Sequence, residues 1–292
     1  PAANDPAQGR IIHNTPVTMQ SSAQQIHQSN IVTLNGGSTL TLTGNNTLAG
    51  LVFNSNGGKE TPTVSPNGVL TLTGSIACAP TDLTVTPIVS GGTLDLNGAA
   101  GFNVSVAALL QGNFTGSGSG WSPQKGLTIS SVIRNGGLIK TGAGVLELSG
   151  ANTFSGRLTV ENGALCVASV NDAGATGPLG NSALSVILGK TGGQTGTLEY
   201  TGGSASSSKP FTLAAAGTGA FQVDTTATTL TLTDLIDGAG ALVKTGRGVL
   251  TLASSGNTYS GATTVGAGTL KYGINNALPV ATTVTVDGDQ AV

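Results

Sequence analysis

The sequence predicts an all-β chain wound as a parallel β-solenoid. Three observations carry that reading: short apolar runs alternate with Thr, Ser, Asp or Glu, glycine punctuates them at 46 of 292 positions, and a segment of about 105 residues recurs. Alternation is the mark of half-buried strands, because successive side chains point to opposite faces. Glycine, threonine and asparagine are poor helix formers, and no window of a dozen residues shows apolar spacing at the helical period. Strands joined by turns too short for helical crossovers fit a coil in which each rung pairs with the rungs above and below.

Composition excludes several classes. Only 11 basic and 13 acidic residues are present, net charge is -2, and there is no basic run. Nucleic-acid backbones and anionic membrane surfaces therefore find no electrostatic grip. The glycines do not recur every third residue, which excludes collagen, and 38% hydrophobic content argues against disorder. No stretch is apolar enough for a transmembrane helix, and the opening PAANDPAQGR lacks the basic flank and apolar core of an uncleaved signal peptide. Cys78 and Cys166 match no zinc or redox spacing, and such low cysteine use fits a secreted bacterial surface protein and a low-cysteine cytosolic one alike. No cofactor or metal is expected.

In chain order, residues 1–30 are rich in Gln, Ser, Asn and Pro and do not repeat, so they read as an N-terminal arm or cap. Residues 31–292 read as one continuous solenoid of three copies, the last truncated. The first copy is decayed: Leu40, Leu42, Gly44, Asn46 and Gly50 match Leu146, Leu148, Gly150, Asn152 and Gly156 at a constant shift of 106. The second runs GGLIKTGAGVLELSGANTFSGRLTVENGAL from Gly136, and the third GALVKTGRGVLTLASSGNTYSGATTVGAGTL from Gly240. Lys140 maps to Lys244 at a shift of 104, and Asn152, Gly156 and Leu165 map to Asn257, Gly261 and Leu270 at 105, through one inserted serine. Intervening strands recur too, with Leu83 and Val85 matching Leu184 and Val186, then Val284 and Val286. Rungs of about 20 to 25 residues give roughly 12 to 14 turns and, at about 4.8 Å per turn, a rod some 60 Å long. A β-sandwich of hairpins is the structural alternative, but hairpins would not preserve this period.

Inward Leu, Val and Ile stack into an apolar column, each burial contributing about 1.5 to 3 kcal/mol. Leu40, Leu146 and Leu250 are expected at equivalent inward positions. Gly and Asn supply the corners. Asn152 and Asn257 are expected to hydrogen-bond the turn backbone through their amides, with Phe154 and Tyr259 covering the corner. The repeated Lys-Thr-Gly at Lys140 and Lys244 lacks the glycine and the helix of a phosphate loop, so both lysines are read as standing outside the rod beside an acid. Cys78 and Cys166 follow matched strands several rungs apart, too far for a disulfide.

The run G-x-L-x-K-x-G-x-G-x-L-x-L-x-G-x-N-x-[FY]-S-G, at Gly136 to Gly156 and, with its insertion, at Gly240 to Gly261, resembles the autotransporter-associated β-strand repeat of Gram-negative passenger domains. The periodicity it anchors reaches across about 85% of the chain. The resemblance implies a right-handed parallel β-helix exported to the cell surface, usually long and often adhesive. No outer-membrane β-barrel translocator follows in this sequence.

Glycosidases and lyases on this fold need carboxylates about 5 to 9.5 Å apart, or a carboxylate cluster holding calcium. The acids here are scattered: Asp234 and Asp237 flank one strand end, and Asp287 and Asp289 form a small acidic turn, which reads as solvated turn chemistry. His13 and His27 lie in the non-repetitive segment, far in sequence from either cysteine. Two insertions are better candidates. About eleven extra residues lie between Val52 and Asn67, and Gln111 to Gly126 exceeds its counterpart by about six and carries Phe114 and Trp121. These rings form the candidate interaction loop, suited to stacking on a sugar or partner; the competing reading folds them back over the rod.

The function expected is an extracellular structural or adhesive rod, or the subunit of a head-to-tail fibre, without catalysis. The alternatives are a carbohydrate-active or carbohydrate-binding β-helix, or an excised adhesin passenger fragment. Open sheet edges at the ends lead to the expectation that the protein associates with itself end to end through residues 1–30, with host or environmental carbohydrate or protein as further partners.

Overall fold

The computed structural model describes residues 3–5, 10–12, 16–18, 23–54, 60–80, 85–108 and 125–287. Strands pair in parallel into sheets of twelve, nine and four members, and the one paired exception is a small antiparallel unit of Ala3–Asp5 with Arg10–Ile12. None of the described residues is helical. Each sheet takes at most one strand per turn, so the three sheets are walls of a solenoid, the third of them built of strands only between Ala205 and Tyr272.

The twelve-stranded wall sets the pitch. Leu40 pairs with Val64, Val64 with Val89, Val89 with Ile129 and Ile129 with Leu148, at spacings of 24, 25, 40 and 19 residues. Further along, Leu146, Leu165, Leu198, Phe221, Lys244, Val265 and Val286 form a continuous inward column. With nine strands on the second wall and twelve on the first, the turn count lies at or below the lower end of the 12 to 14 expected. Two spacings are long, 40 residues from Val89 to Ile129 and 33 from Leu165 to Leu198. One includes the insertion around Phe114 and Trp121, which lies outside the described residues. The other, residues 168–185, is a loop that sequence comparison missed, because its third-copy counterpart is shorter.

Packing follows the alternation. Thr39–Thr43 and Thr229–Leu232 bury their leucines and turn their threonines outward, and the inward side chains of all three walls merge into one core. Leu40, Leu146 and Leu250 are all buried. They are not, however, equivalent in the coil. Leu40 and Leu146 lie on the twelve-stranded wall, whereas Leu250 pairs with Leu230 and Leu270 on the four-stranded wall. From the first copy to the second the chain completes four turns and returns to the same wall. From the second to the third it advances four turns and one wall more, so the repeat is rotated. The lysines show the same step, Lys140 on the nine-stranded wall and Lys244 on the twelve-stranded one.

Pro16–Thr18 lies beside Thr39–Thr41 at the end of the twelve-stranded wall. Gln24 extends that end. Its side-chain amide donates to the Thr47 carbonyl at 2.9 Å and accepts from the Thr47 amide at 2.6 Å, doing with a side chain what a strand does with its backbone.

Candidate functional site

The repeated residues converge on the corners. Asn152 is fully buried; its Oδ1 accepts from the Ile133 amide at 2.8 Å on the rung below, and its Nδ2 donates to the Pro178 carbonyl at 3.1 Å on the rung above. Asn257 repeats this with the Ile236 amide at 2.8 Å and the Ala277 carbonyl at 2.7 Å. Asn46 accepts from Gln24 at 2.9 Å but turns its amide to its own corner, at Thr43 and Gly44. One carboxamide thus satisfies backbone groups that a corner would otherwise bury unpaired. Phe154 and Tyr259 are buried beside these asparagines, and the Tyr259 hydroxyl meets that of Thr263 at 2.7 Å.

The lysines correct the expectation of an outward position beside an acid. Lys140 and Lys244 have no exposed surface. Each side chain points inward next to a core leucine, and its ammonium bends to the corner. Lys140 Nζ donates to the carbonyls of Thr141 at 3.0 Å, Gly142 at 2.7 Å and Asn162 at 2.8 Å. Lys244 Nζ donates to Thr245 at 2.5 Å, Gly246 at 2.8 Å and Ala267 at 3.1 Å. In both, the glycine has a left-handed φ, 75° and 73°, which aims the carbonyls at one point. Backbone oxygens, not a carboxylate, hold the charge, two from the lysine's own corner and one from the rung above. The first copy makes do without it: Leu34 takes the lysine position, and Ser38 Oγ donates to the Asn35 carbonyl at 2.6 Å in its place.

A third buried lysine, Lys209, secures the 168–185 loop through the carbonyls of Gly180 at 3.0 Å and Ser182 at 2.7 Å. Within that loop Asn171 donates to Ala175 and Gly180 and accepts from Leu179. Loss of hydration pushes Lys140 down to about 7 and Lys209 and Lys244 to about 8. Between those values and the ordinary lysine pKa the unfolded chain binds more protons than the folded one, so stability rises with pH in that window. Above about pH 9 the two thiols, which burial pushes up to about 12, oppose the climb, but two groups do not cancel three, so the trend reverses only near the ordinary lysine pKa. The expected result is a melting temperature that climbs from about pH 7 to about pH 9. A combined Lys140→Met and Lys244→Met change should flatten the climb; an unaltered slope would show the lysines titrate normally.

Side chains that alternate with the core residues form two further groupings. On the twelve-stranded wall Glu147, Cys166 and Glu199 stack on successive rungs, with Lys125 in an ion pair to Glu147 and Thr128 donating to it at 2.9 Å. Glu199 and Cys166 are fully buried there, with Val145 and Ala164 beside them. Sequence reasoning missed this ladder because its members are 19 and 33 residues apart, and only the rung register aligns them. On the nine-stranded wall a shallow groove is floored by Ile139, Thr159, Ile187 and Thr212 and edged by the ion pair of Glu161 with Lys190 at 2.6 Å.

The acids singled out from sequence do not converge: Asp234 accepts from the Leu235 amide at 2.7 Å as a turn residue, and Asp287 is exposed on the last described rung. Among the described residues no group of three His, Cys, Asp or Glu side chains could hold a metal. His27 is exposed and bonded to Ser29 at 2.7 Å, while His13 lies outside the described residues, as do Phe114 and Trp121. Cys78 and Cys166 are free and buried, on different walls.

Stacked parallel rungs closed by asparagine and lysine corners define a repeat-built β-solenoid. Residues 32–55, 138–167 and 242–271 match the family described as Passenger-associated-transport-repeat. It is 33% identical over 245 residues to the Adhesin BmaC autotransporter of Brucella suis biovar 1 (strain 1330), a match covering 80% of this chain and 7% of that protein. No solved structure matches. Passenger repeats of this kind imply a secreted or cell-surface location.

Proposed function

We propose that this chain is a stiff segment of an adhesive surface protein, a rod that holds binding elements away from the cell and performs no catalysis. The observation that carries the reading is the corner chemistry. The repeated lysines and asparagines, Lys140, Lys244, Asn152 and Asn257, are held by backbone groups of their own or an adjacent rung, which supports a load-bearing role and leaves recognition to the outer walls and loops. Resemblance to an autotransporter adhesin supports the same class, and host or environmental carbohydrate or protein is the partner class. The test coats beads with the chain and measures retention on host cells, matrix proteins and a glycan array, alongside release of reducing or unsaturated sugar from acidic polysaccharides. Retention without sugar release is expected. Sugar release would favour the carbohydrate-active alternative.

The finer reading is end-to-end association. Tyr272, Ile274, Val280, Val284 and Val286 are all exposed on the last described rungs, and Val284 and Val286 continue an inward column. A second copy stacking its first rung there would cover them. Sedimentation of the full chain and of one starting at residue 31 separates the outcomes: concentration-dependent growth lost on truncation is expected, and a monomer at all concentrations would end the idea.

A further inference from the structure

We propose that the Asn162–Gly163 peptide is a site of spontaneous backbone rearrangement, at which the asparagine closes to a cyclic imide and opens to aspartate or isoaspartate. The sequence holds other Asn-Gly pairs among the described residues, at Asn35, Asn67, Asn97 and Asn135, but only one has its reacting groups brought together. The Gly163 amide nitrogen lies 2.8 Å from the Oδ1 of Asn162, which brings the nucleophile up against the carboxamide it would attack. The carbonyl of the same peptide, Asn162 O, accepts from the Lys140 ammonium at 2.8 Å. A cation on that oxygen draws electron density from the peptide nitrogen and stabilises the anion that must form when the N–H proton is lost. Residue 163 has a left-handed φ of 71°, and a Cβ there would lie 2.4 Å from the Gly144 carbonyl oxygen. Packing thus keeps a glycine, the least hindered nucleophile, at that place.

The step balances without an oxidant or reductant. Gly163 N bonds to Asn162 Cγ as the Cγ–Nδ2 bond breaks; the Gly163 proton passes through water to the departing nitrogen, which leaves as ammonia. Water then adds to either imide carbonyl and opens the ring. Asn162 is partly exposed, so water has access. The product adds one negative charge to a chain of net charge -2. The isoaspartate form also lengthens the backbone by one carbon at a corner packed against Gly142 to Gly144.

The other pairs lack this arrangement. The Gly36 nitrogen is donated to Asn54 at 3.1 Å, and the Asn135 amide is held by Asp95 at 2.8 Å. At none of the four does a described hydrogen bond join the side-chain oxygen to the next nitrogen, or an ammonium to the peptide carbonyl. The third copy is an internal control: Lys244 reaches the Ala267 carbonyl ahead of Gly268, with no asparagine to react.

The experiment ages the folded, full-length chain at neutral pH and body temperature for weeks, then maps peptides by mass spectrometry with fragmentation that separates isoaspartate from aspartate. Conversion at Asn162 is expected about tenfold faster than at Asn35, Asn67, Asn97 or Asn135. A rate at Asn162 equal to or below theirs overturns the proposal. Unfolding the chain in denaturant should level the five sites, and a persistent lead there would mean that local sequence, not this corner, sets the rate. Lys140→Met should slow the step several-fold and Lys140→Arg should restore it. An unchanged rate in a cooperatively melting Lys140→Met chain would remove the lysine from the scheme.

Discussion

Asn152→Ala and Asn257→Ala are each expected to lower stability by about 4 kcal/mol, more than a typical core truncation of the same size. Each removes a carboxamide that pairs one backbone amide below and one carbonyl above, leaving two buried groups at about 1 to 3 kcal/mol apiece. Solenoid unfolding need not be two-state, so hydrogen exchange is the better measurement. The Ile133 and Ile236 amides should lose protection first, with the damage spreading to adjacent rungs. A loss under about 1 kcal/mol, or one spread evenly over the chain, would mean that water replaces the carboxamide.

Gly156→Ala and Gly261→Ala should cost about 3 kcal/mol or more by a different route, steric overlap. A Cβ on Gly156 would lie 2.5 Å from both Gly136 O and Gly137 N, and one on Gly261 only 2.2 Å from Gly240 O. The obstacle is backbone of the rung below in both cases, which cannot swing aside as a side chain can. Gly192→Ala is the comparison, since nothing lies within 4 Å of its would-be Cβ and only its φ of 107° resists. Thermal melts of the three variants should rank Gly261→Ala and Gly156→Ala below Gly192→Ala. Equal melting temperatures would show the rungs able to part by several tenths of an ångström.

Much of this was legible in the sequence for a physical reason: strand alternation and corner glycines are local requirements, met within a few residues of where they act. Leu146 and Phe154 could be read because strand alternation and the adjacent Ser-Gly turn imply their burial; Asn152 could be read as a corner residue, but its partners Ile133 and Pro178, on the rungs below and above, could not. The lysines could not. What holds Lys140 inward is the carbonyl of Asn162, 22 residues on, and a cation among leucines reads as a surface residue until that partner is placed. The ladder of Glu147, Cys166 and Glu199 was invisible for the same reason. Residues 168–185 carry no repeated motif, and what orders them, Asn171 and Lys209 on backbone carbonyls, has no sequence signature.

The extra wall gained between the second and third copies fixes where an outside observer meets each repeat. Matched outward residues of the first two copies face the same azimuth, four turns or about 19 Å apart along the axis. Those of the third look out around the side. A partner with two rigidly joined binding arms could therefore grip the first and second copies along a single line, yet would have to bend around the rod to include the third. Repetition in the sequence is thus converted into angular spread in space, and the valency any one neighbour experiences is smaller than the number of copies the chain contains.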